Sequence, residues 1–529
     1  MSVYNTITSL GESPLNEDII YVGTDDGIIQ VTEDGGESWR KIEVGALPGV
    51  PDTAFVNDIR ADLHDEDTVY VALDNHKYGD YAPYLLKSED RGETWRSLAD
   101  DIPEKHLVWR IVQDHEDEDL LFLATEFGVF ASVDGGEDWA EMSGGLPTIP
   151  LRDITIQRRE DDLVVASFGR GFYILDDISP IRDLDEESLE QEAMLWTGRD
   201  ALWYIEETPL GNGGKAYQGD GFFVADNPPF GAVFTYYLKD ALRTKKEMRQ
   251  EAEKEANEAF EDTPMPSFEE LNAELSEEKP QILLVVRDED GDVVRRIEGP
   301  TGEGLHRVSW DLTRPSQRAV RSMPDEDDDD SGFMVAPGTY SVALMKRQGG
   351  ETTELVGAKE FEVKKLRDGA LPAADPEAVA SFWDRMNKLS ARVSATRAVL
   401  SDTEEKVDLL RVALERSTAP TEMMDEWSAL KRRVESLDMA LNGDPARESL
   451  GERQVATVSD RLRFARSGVG NSTYGPTPTH RESAEWAEEE LSEIVAELET
   501  LREEDLPAME EKLAEYGAPW TPGAAIPSE

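Results

Sequence analysis

The chain has 529 residues, of which 113 are acidic and 54 basic, for a formal net charge of −59, and it contains no cysteine. Disulfides, thiolate metal sites and a cysteine nucleophile are therefore excluded, and nucleic acid is a poor partner, because binding phosphate needs basic surface. No run approaches the ~20 apolar residues of a membrane span, while the length allows two to four domains.

The acidic excess is spread along the whole chain, and arginine outnumbers lysine 36 to 18. This pattern points to a halophilic, acidic protein, in which dense counterions screen a self-repulsion that dilute buffer would leave standing. The opening residues, MSVYNTITSL, carry neither the charged nor the apolar region of a signal peptide. The localisation of this chain is left open by its own residues.

The first 180 residues repeat. TEDGGESW, SEDRGETW and SVDGGEDW share Ser or Thr, then Asp, Gly and Trp at fixed offsets: Thr32, Asp34, Gly36 and Trp39; Ser88, Asp90, Gly92 and Trp95; Ser132, Asp134, Gly136 and Trp139. The starts lie 56 and 44 residues apart, the spacing of four-stranded propeller blades. Each copy follows an alternating or apolar run (IIYVGTDDGIIQV, LLFLATEFGVFAS) and precedes a short polar strand. The chemistry is that of a hairpin. The aspartates accept from turn N–H groups, and the glycines supply the conformation the turn needs. The tryptophans are expected to fill the space between strands or blades. With the strand pair of ITIQ…LVVASFGRGFYILDD, the count is about three and a half blades, where a closed ring takes four to eight. The expectation is a partial β-propeller over residues 1–180. Its remaining blades would come from an upstream polypeptide or a second chain, since half a ring leaves strand edges open.

After Ser179-Pro180 an acidic segment, Asp183 to Glu192, reads as a linker. Residues 193–366 then hold short strand-like runs (AMLWTG, FGAVFTYYLK, QILLVVRDEDGDVVRRIEG, LHRVSWDL, GTYSVALMKR, AKEFEVKKL), which argue for a β-sandwich. A charged helical insertion near 240–278 reads as a solvated face. Asp288 to Asp292 joins two strands and lacks the spacing of a calcium loop, so it reads as a hairpin turn. The run Asp325 to Asp330 reads as a solvated acidic loop. Gly211 to Lys215 lacks the phosphate-loop spacing. His64, His76, His106, His115, His306 and His480 form no metal-ligand pair. No metal and no cofactor is expected.

Residues 372–516 carry a heptad stripe. Asp375-Pro376 starts a helix, and Phe382, Met386, Leu389, Val393, Leu400, Val407 and Leu414 keep one phase, which predicts a single helix of about 40 residues. The stripe resumes at Met423 to Leu441, Val455 to Ala465 and Ala487 to Leu501. Capping boxes at Ser449…Glu452 and Thr479…Glu482 mark two of the starts. The expectation is a C-terminal antiparallel bundle of four helices, followed by a flexible tail over 517–529. The fold class is thus multidomain, mainly β plus α.

The three boxes resemble the Asp-box, or BNR, repeat of sialidases, xyloglucanase-like glycosidases and sortilin-type receptors. Ser38 and Asp138 stand where that repeat usually has threonine. YNTITSLGESPLNEDIIYVGTDDGIIQVTEDGGESW, ASFGRGFYILDDISPIRDL and NPPFGAVFTYYLK are similar to a bacterial and archaeal group of large exported proteins. That group is described as glycosyl hydrolase-like or sortilin-like (VPS10-like), and the chain corresponds to its C-terminal part. The strands after residue 280 resemble an immunoglobulin-like or FlgD-like domain. The resemblance implies that the boxes are structural turns, and that the parent protein is extracellular or periplasmic. Two functions follow. One is a non-catalytic binding or scaffold part that takes a protein, peptide or glycan on the propeller face. The other is a glycoside hydrolase of the sialidase or xyloglucanase type, with most catalytic residues outside this chain. Glycoside cleavage needs two carboxylates about 5–10 Å apart, and no pair stands out among 113 acids. The candidate face residues are Trp109, Arg110, Phe168 and Arg170.

Overall fold

Alternating and wholly apolar runs in the first 175 residues fold into four consecutive antiparallel sheets in the computed structural model, which describes residues 5–206, 221, 223–263, 265–322, 331–524 and 526. The first sheet is β1 (Ile7–Glu12), β2 (Ile20–Thr24), β3 (Ile28–Thr32) and β4 (Arg40–Glu43). The second is β5 (Phe55–Ala61), β6 (Val69–Asn75), β7 (Asp80–Ser88) and β8 (Arg96–Ser97). The third is β9 (Val108–Gln113), β10 (Leu121–Thr125), β11 (Val129–Ser132) and β12 (Ala140–Met142). The fourth is β13 (Leu151–Gln157), β14 (Asp162–Ser167) and β15 (Phe172–Leu175). Where the sequence suggested a final strand pair, there are three strands. Every residue of β6 and β10 is buried, as expected of strands covered on both faces.

The first strands lie side by side: β5 packs between β1 and β9, and β9 between β5 and β13. The sheets therefore fan out from a common line, as propeller blades do. Three apolar cores fill the gaps. Ile19, Ile29, Ile59 and Leu73 lie between blades one and two; Leu85, Val108, Leu121 and Phe130 between two and three; and Phe122, Leu151, Ile154 and Val165 between three and four. The two ends of the row are different. Ile7 and Leu10 on the first blade are exposed, as are Phe172 and Ile174 on the fourth, with Leu10 at 65% and Phe172 at 75%. The row of blades is open.

The segment after β15 is not a free linker. Ser179–Asp183 forms a 3₁₀ turn, and Asp185 caps α1 (Glu186–Leu189). From that turn Arg182 places a bidentate fork on the fully buried Asp114 of blade three, both contacts at 2.9 Å. The same guanidinium reaches Asp161 of blade four at 2.7 Å. It clamps two blades together.

Contact density divides the chain into two compact units: Met1–Arg199 with Phe234–Leu271 and Thr301–His306, and Asp200–Val233 with Asn272–Pro300 and Arg307–Glu529. In the first unit, β16 (Ala193–Trp196) pairs antiparallel with the strand that follows β17 (Ala201–Trp203), namely β18 (Ala232–Leu238). The charged insertion is α2 (Lys245–Glu258), closed by a Thr244–Glu247 capping box, and then α3 (Phe268–Leu275).

The second unit contains β19 (Gln281–Arg287) and β20 (Val293–Gly299). Asp288 to Asp292 makes the turn between them, Asp288 Oδ1 accepting from Asp292 N at 2.9 Å. After β21 (Gly304–Trp310) come the paired β22 (Thr313–Pro315) and β23 (Ser331–Met334), then β24 (Gly338–Gln348) and β25 (Glu351–Lys365). A five-stranded sheet runs β17-β25-β24-β19-β20, with only β17 and β25 parallel. The runs 211–215 and 325–330 lie outside the described residues.

The heptad stripe forms α4 (Pro376–Glu415), a single 40-residue helix capped by Asp375. The helices that follow are α5 (Met423–Asn442), α6 (Pro445–Ser449), α7 (Val458–Gly470), α8 (Pro478–Thr500) and α9 (Leu506–Glu515). The starts of α7 and α8 are set by Thr457 with Asp460 and Thr477 with His480, not by Ser449 or Thr479. Val455 lies outside α7 and is exposed.

The expected four-helix antiparallel bundle is also corrected, to three rods. Trp427 Nε1 donates to Val407 O and Arg397 reaches Asn442, so α5 runs back along the second half of α4. Trp383 Nε1 donates to Val469 O and Arg397 reaches Ser459, so α7 runs back along the first half. The two helices lie end to end, broken at Gly443-Asp444-Pro445. α8 and α9 run parallel to α4, through Arg385–Glu488 and Lys406–Glu510. A π turn at Leu501–Asp505 joins α8 to α9, just where Pro507 removes an N–H and crowds the carbonyl four residues back.

Candidate functional site

The three boxes share one hydrogen-bond scheme. The hydroxyls of Thr32, Ser88 and Ser132 donate to Asp34, Asp90 and Asp134 at 2.7–2.8 Å and accept from the N–H of Gly36, Gly92 and Gly136 at 2.7–2.8 Å. The carboxylates also accept from the N–H four residues on, at Ser38, Thr94 and Asp138. The Ser38 hydroxyl bond, with the other turn donors, holds Asp34 down to about 2. These carboxylates are spent on their own turns. The glycines sit at φ between 87° and 95°, where a side chain would be strained.

The box tryptophans face backwards along the row. Trp139 of blade three is 8% exposed, belongs to the core shared with blade two, and donates from Nε1 to Leu98 O of that blade at 2.8 Å. Trp95 of blade two packs on the core shared with blade one. Trp39 of blade one has no such neighbour among the described residues and is 43% exposed. Of the three tryptophans expected to fill the space between strands or blades, Trp95 and Trp139 pack between blades, and Trp39 fills no inter-blade gap among the described residues.

The inner strands carry a second repeat. Each has a β-bulge at the same place, with one extra residue between Ile7 and Ser9, Val56 and Asp58, Val108 and Arg110, and Leu151 and Asp153. The extra residues are Thr8, Asn57, Trp109 and Arg152. A bulge re-aims one side chain, and these four line one cavity of about 390 Å³, with Phe55, Asp74, His76, Lys77 and Arg110 around them. The Arg152 guanidinium lies 3.6 Å from the Trp109 ring centre and 5.5 Å from that of Phe168. Glu126 accepts from Trp109 Nε1 at 3.0 Å and stands 3.7 Å from Arg152. His76 bonds to the buried Asp74 and meets the Trp109 ring edge-on. Lys77 sits 4.4 Å over Phe55.

The residue after each bulge does something else. Ser9, Asp58, Arg110 and Asp153 form a chain across the four blades. Ser9 Oγ is 3.5 Å from Asp58, Asp58 is 3.2 Å from Arg110, and Arg110 is 3.5 Å from Asp153. Arg110 also donates to Asn57 O at 2.6 Å. Alternating charge ties together inner strands that cannot bond to one another as a sheet.

Of the four face residues expected from sequence, Trp109 and Arg110 line the cavity, and Arg110 is held in the inter-blade chain. Phe168 is exposed beside Arg152. Arg170 is exposed in the β14–β15 turn and is not among the lining residues. The sequence reading missed Thr8, Asn57 and Arg152. The signal was present as a short repeat, apolar–X–polar–Ile/Leu: ITSL, VNDI, VWRI and LRDI.

No family model matches the sequence, and no curated protein does. Among solved structures the chain is similar to β-propeller proteins over about a third of its length. These include YCF48 bound to D1 peptide (14% identity, TM-score 0.26, 33% of this chain and 52% of that one). Another is the GH74 xyloglucanase from Xanthomonas campestris (13%, 0.25, 32% and 28%). A third is the Cps50 (Swd1) β-propeller domain of Myceliophteria thermophila (17%, 0.27, 34% and 56%). The chain spans less than two thirds of each of them.

Proposed function

We propose that this chain is a non-catalytic binding or scaffold part of an Asp-box propeller protein, taking a peptide segment of a protein partner in the axial cavity. The observation that carries the reading is the fourfold bulge, which aims one residue from each blade into one space. Arginine and aromatic side chains held in a partly desolvated pocket are what binding hot spots are made of. Lys77 and Arg152 favour a carboxylate-bearing segment, and the stacked Trp109–Arg152 pair offers a flat face to an apolar residue. Asp74, the carboxylate in the cavity lining, is engaged by His76, and the neighbouring buried Asp58 by Arg60 and Arg110, which suits a structural role better than acid–base work.

The finer assignments rest on the same reading. The BNR and sortilin-like resemblance is supported by the shared box geometry, and a halophilic origin by the net charge. The immunoglobulin-like or FlgD-like assignment of 193–366 is supported by the five-stranded sheet. The bundle assignment of 372–516 is supported by the three packed rods. We assign further blades, from another stretch of polypeptide, to the open ends of the row. The exposed Trp39 side has the features that the preceding blade covers at Trp95 and Trp139.

The test is selection of binders from a displayed peptide library in 1 M KCl, followed by calorimetric affinities. Arg152→Ala combined with Phe168→Ala should weaken selected peptides at least about tenfold, or 1.4 kcal/mol, with the chain still folded by circular dichroism, since Phe168 is exposed and Arg152 lies at the cavity surface rather than in a blade core. Affinity that survives the double substitution contradicts the site. Turnover of xyloglucan, β-glucan or sialoside by the chain, abolished by one carboxylate-to-amide change, contradicts the non-catalytic assignment.

A further inference from the structure

The turn between α7 and α8 is short, polar and held at both ends. On the α7 side, Val469 O accepts from Trp383 Nε1 at 3.0 Å. On the α8 side, Tyr474 O accepts from Ala374 N at 3.0 Å. A side chain at Gly475, whose φ is 94°, would run into Ala374 and Val379, so the chain is seated closely there before Thr477 caps α8. Between these anchors stand Asn471, Ser472 and Thr473.

Asn471 is the C-cap of α7 and is exposed. Asparagine in a turn commonly bonds the backbone beside it. Here neither the Asn471 amide nor the Thr473 hydroxyl has a hydrogen-bond partner among the described residues. The Ser472 hydroxyl, in contrast, is used inside the turn, where it accepts from Tyr474 N at 3.1 Å. Asn-x-Thr, with x other than proline, is the acceptor signature for N-linked glycans and belongs on a surface turn. The chain has 11 asparagines, and Asn471 is the one with serine or threonine two positions on.

We propose that Asn471 carries an N-linked oligosaccharide. The donor is an oligosaccharide attached to a lipid-linked phosphate, and the catalyst is an oligosaccharide transferase of the exporting cell. The bond from Asn471 Nδ2 to C1 of the first sugar forms as the C1–O bond to the phosphate breaks. The phosphate leaves with the electron pair, one amide proton passes to a base of the transferase, and nothing is oxidised or reduced. The free Thr473 hydroxyl, able to donate and accept, is the group by which the acceptor is read. The proposal rests on the reading of the parent protein as exported. A bulky, solvated glycan at this place displaces no core side chain, and it covers a turn tip of the kind proteases cut.

The test is mass spectrometry of the protein purified from the cells whose genome encodes it, with external and cytoplasmic fractions kept apart. Trypsin releases residues 467–481 as one peptide. In the external fraction this peptide is expected mainly as a glycopeptide, with fragment ions that place the sugar on Asn471. Thr473→Val should abolish the modification and Thr473→Ser should retain it, with circular dichroism unchanged in both. External protein whose 467–481 peptide has its bare mass overturns the proposal. So does a sugar located on Ser472 or Thr473, or a glycan that persists in Thr473→Val. Protein confined to the cytoplasm with the bare peptide overturns the reading of export along with it.

Discussion

Replacing Arg182 by methionine is expected to destabilise the blade row by about 3–5 kcal/mol, the cost of stripping one partner from a buried ion pair. The methionine keeps the apolar stem in place, so the loss isolates the charge. Asp114 is fully buried, and that guanidinium makes two 2.9 Å bonds to its carboxylate, while His115 Nδ1 stands 3.8 Å away. Burial alone would raise the Asp114 pKa, but the Arg182 bonds and the N–H groups of Glu116 and Asp117 pull it below the usual carboxylate range. Its contribution to stability is therefore fully present above the unfolded-state carboxylate pKa, and is lost as pH falls through the lowered folded-state value. The gap between wild type and Arg182→Met should be widest near neutral pH and narrow on acidification. Urea unfolding in 1 M KCl at several pH values measures it. Arg170→Met, exposed in its turn, is the control and should stay within about 0.5 kcal/mol. A gap under 1 kcal/mol at pH 7 would show that Arg182 is no clamp.

The second large effect belongs to the box tryptophans, which should differ although their motifs match. Trp139→Ala is expected to cost about 3–5 kcal/mol, the usual penalty for truncating a large core side chain. It removes an indole packed between two blades together with its bond to Leu98 O. Trp95→Ala should follow, at the lower end of that range, because Trp95 is only partly buried. Trp39→Ala should cost less than about 1 kcal/mol, since the ring is already 43% exposed. Equal losses at all three positions would mean that the indoles stabilise their own turns rather than the junctions between blades.

The blade architecture was legible because its signals are local. Asp34, Gly36 and Trp39 stand at fixed offsets, and period-two runs such as TVYVALDN declare strands. The 40-residue α4 was legible for the same reason, an unbroken heptad phase from Phe382 to Leu414. What depended on long-range register was not. Four apolar stripes cannot say which helices run together, and the parallel course of α4 and α8 follows from where Gly443 and Pro445 break the chain between α5 and α7. Arg182 stands just before the acidic segment read as a linker, in a stretch with no motif, and its partners are 68 and 21 residues away. At the site, Trp109 was found because a tryptophan draws the eye. Thr8, Asn57 and Arg152 were not, because a bulge is a property of pairing between two strands, visible only when all four inner strands are aligned.

The central claim is an open row of blades in which Trp95 and Trp139 are covered by the blade before them and Trp39 is not. Hydroxyl-radical footprinting of the chain in 1 M KCl, read by mass spectrometry residue by residue, tests it most directly. Trp39, Leu10 and Phe172, each rate divided by the intrinsic reactivity of its side chain, should be as little protected as the exposed Trp486, while Trp139 and Trp310 stay protected. Protection of Trp39 and Phe172 to the level of Trp139 would mean that the row closes on itself, and would contradict the account.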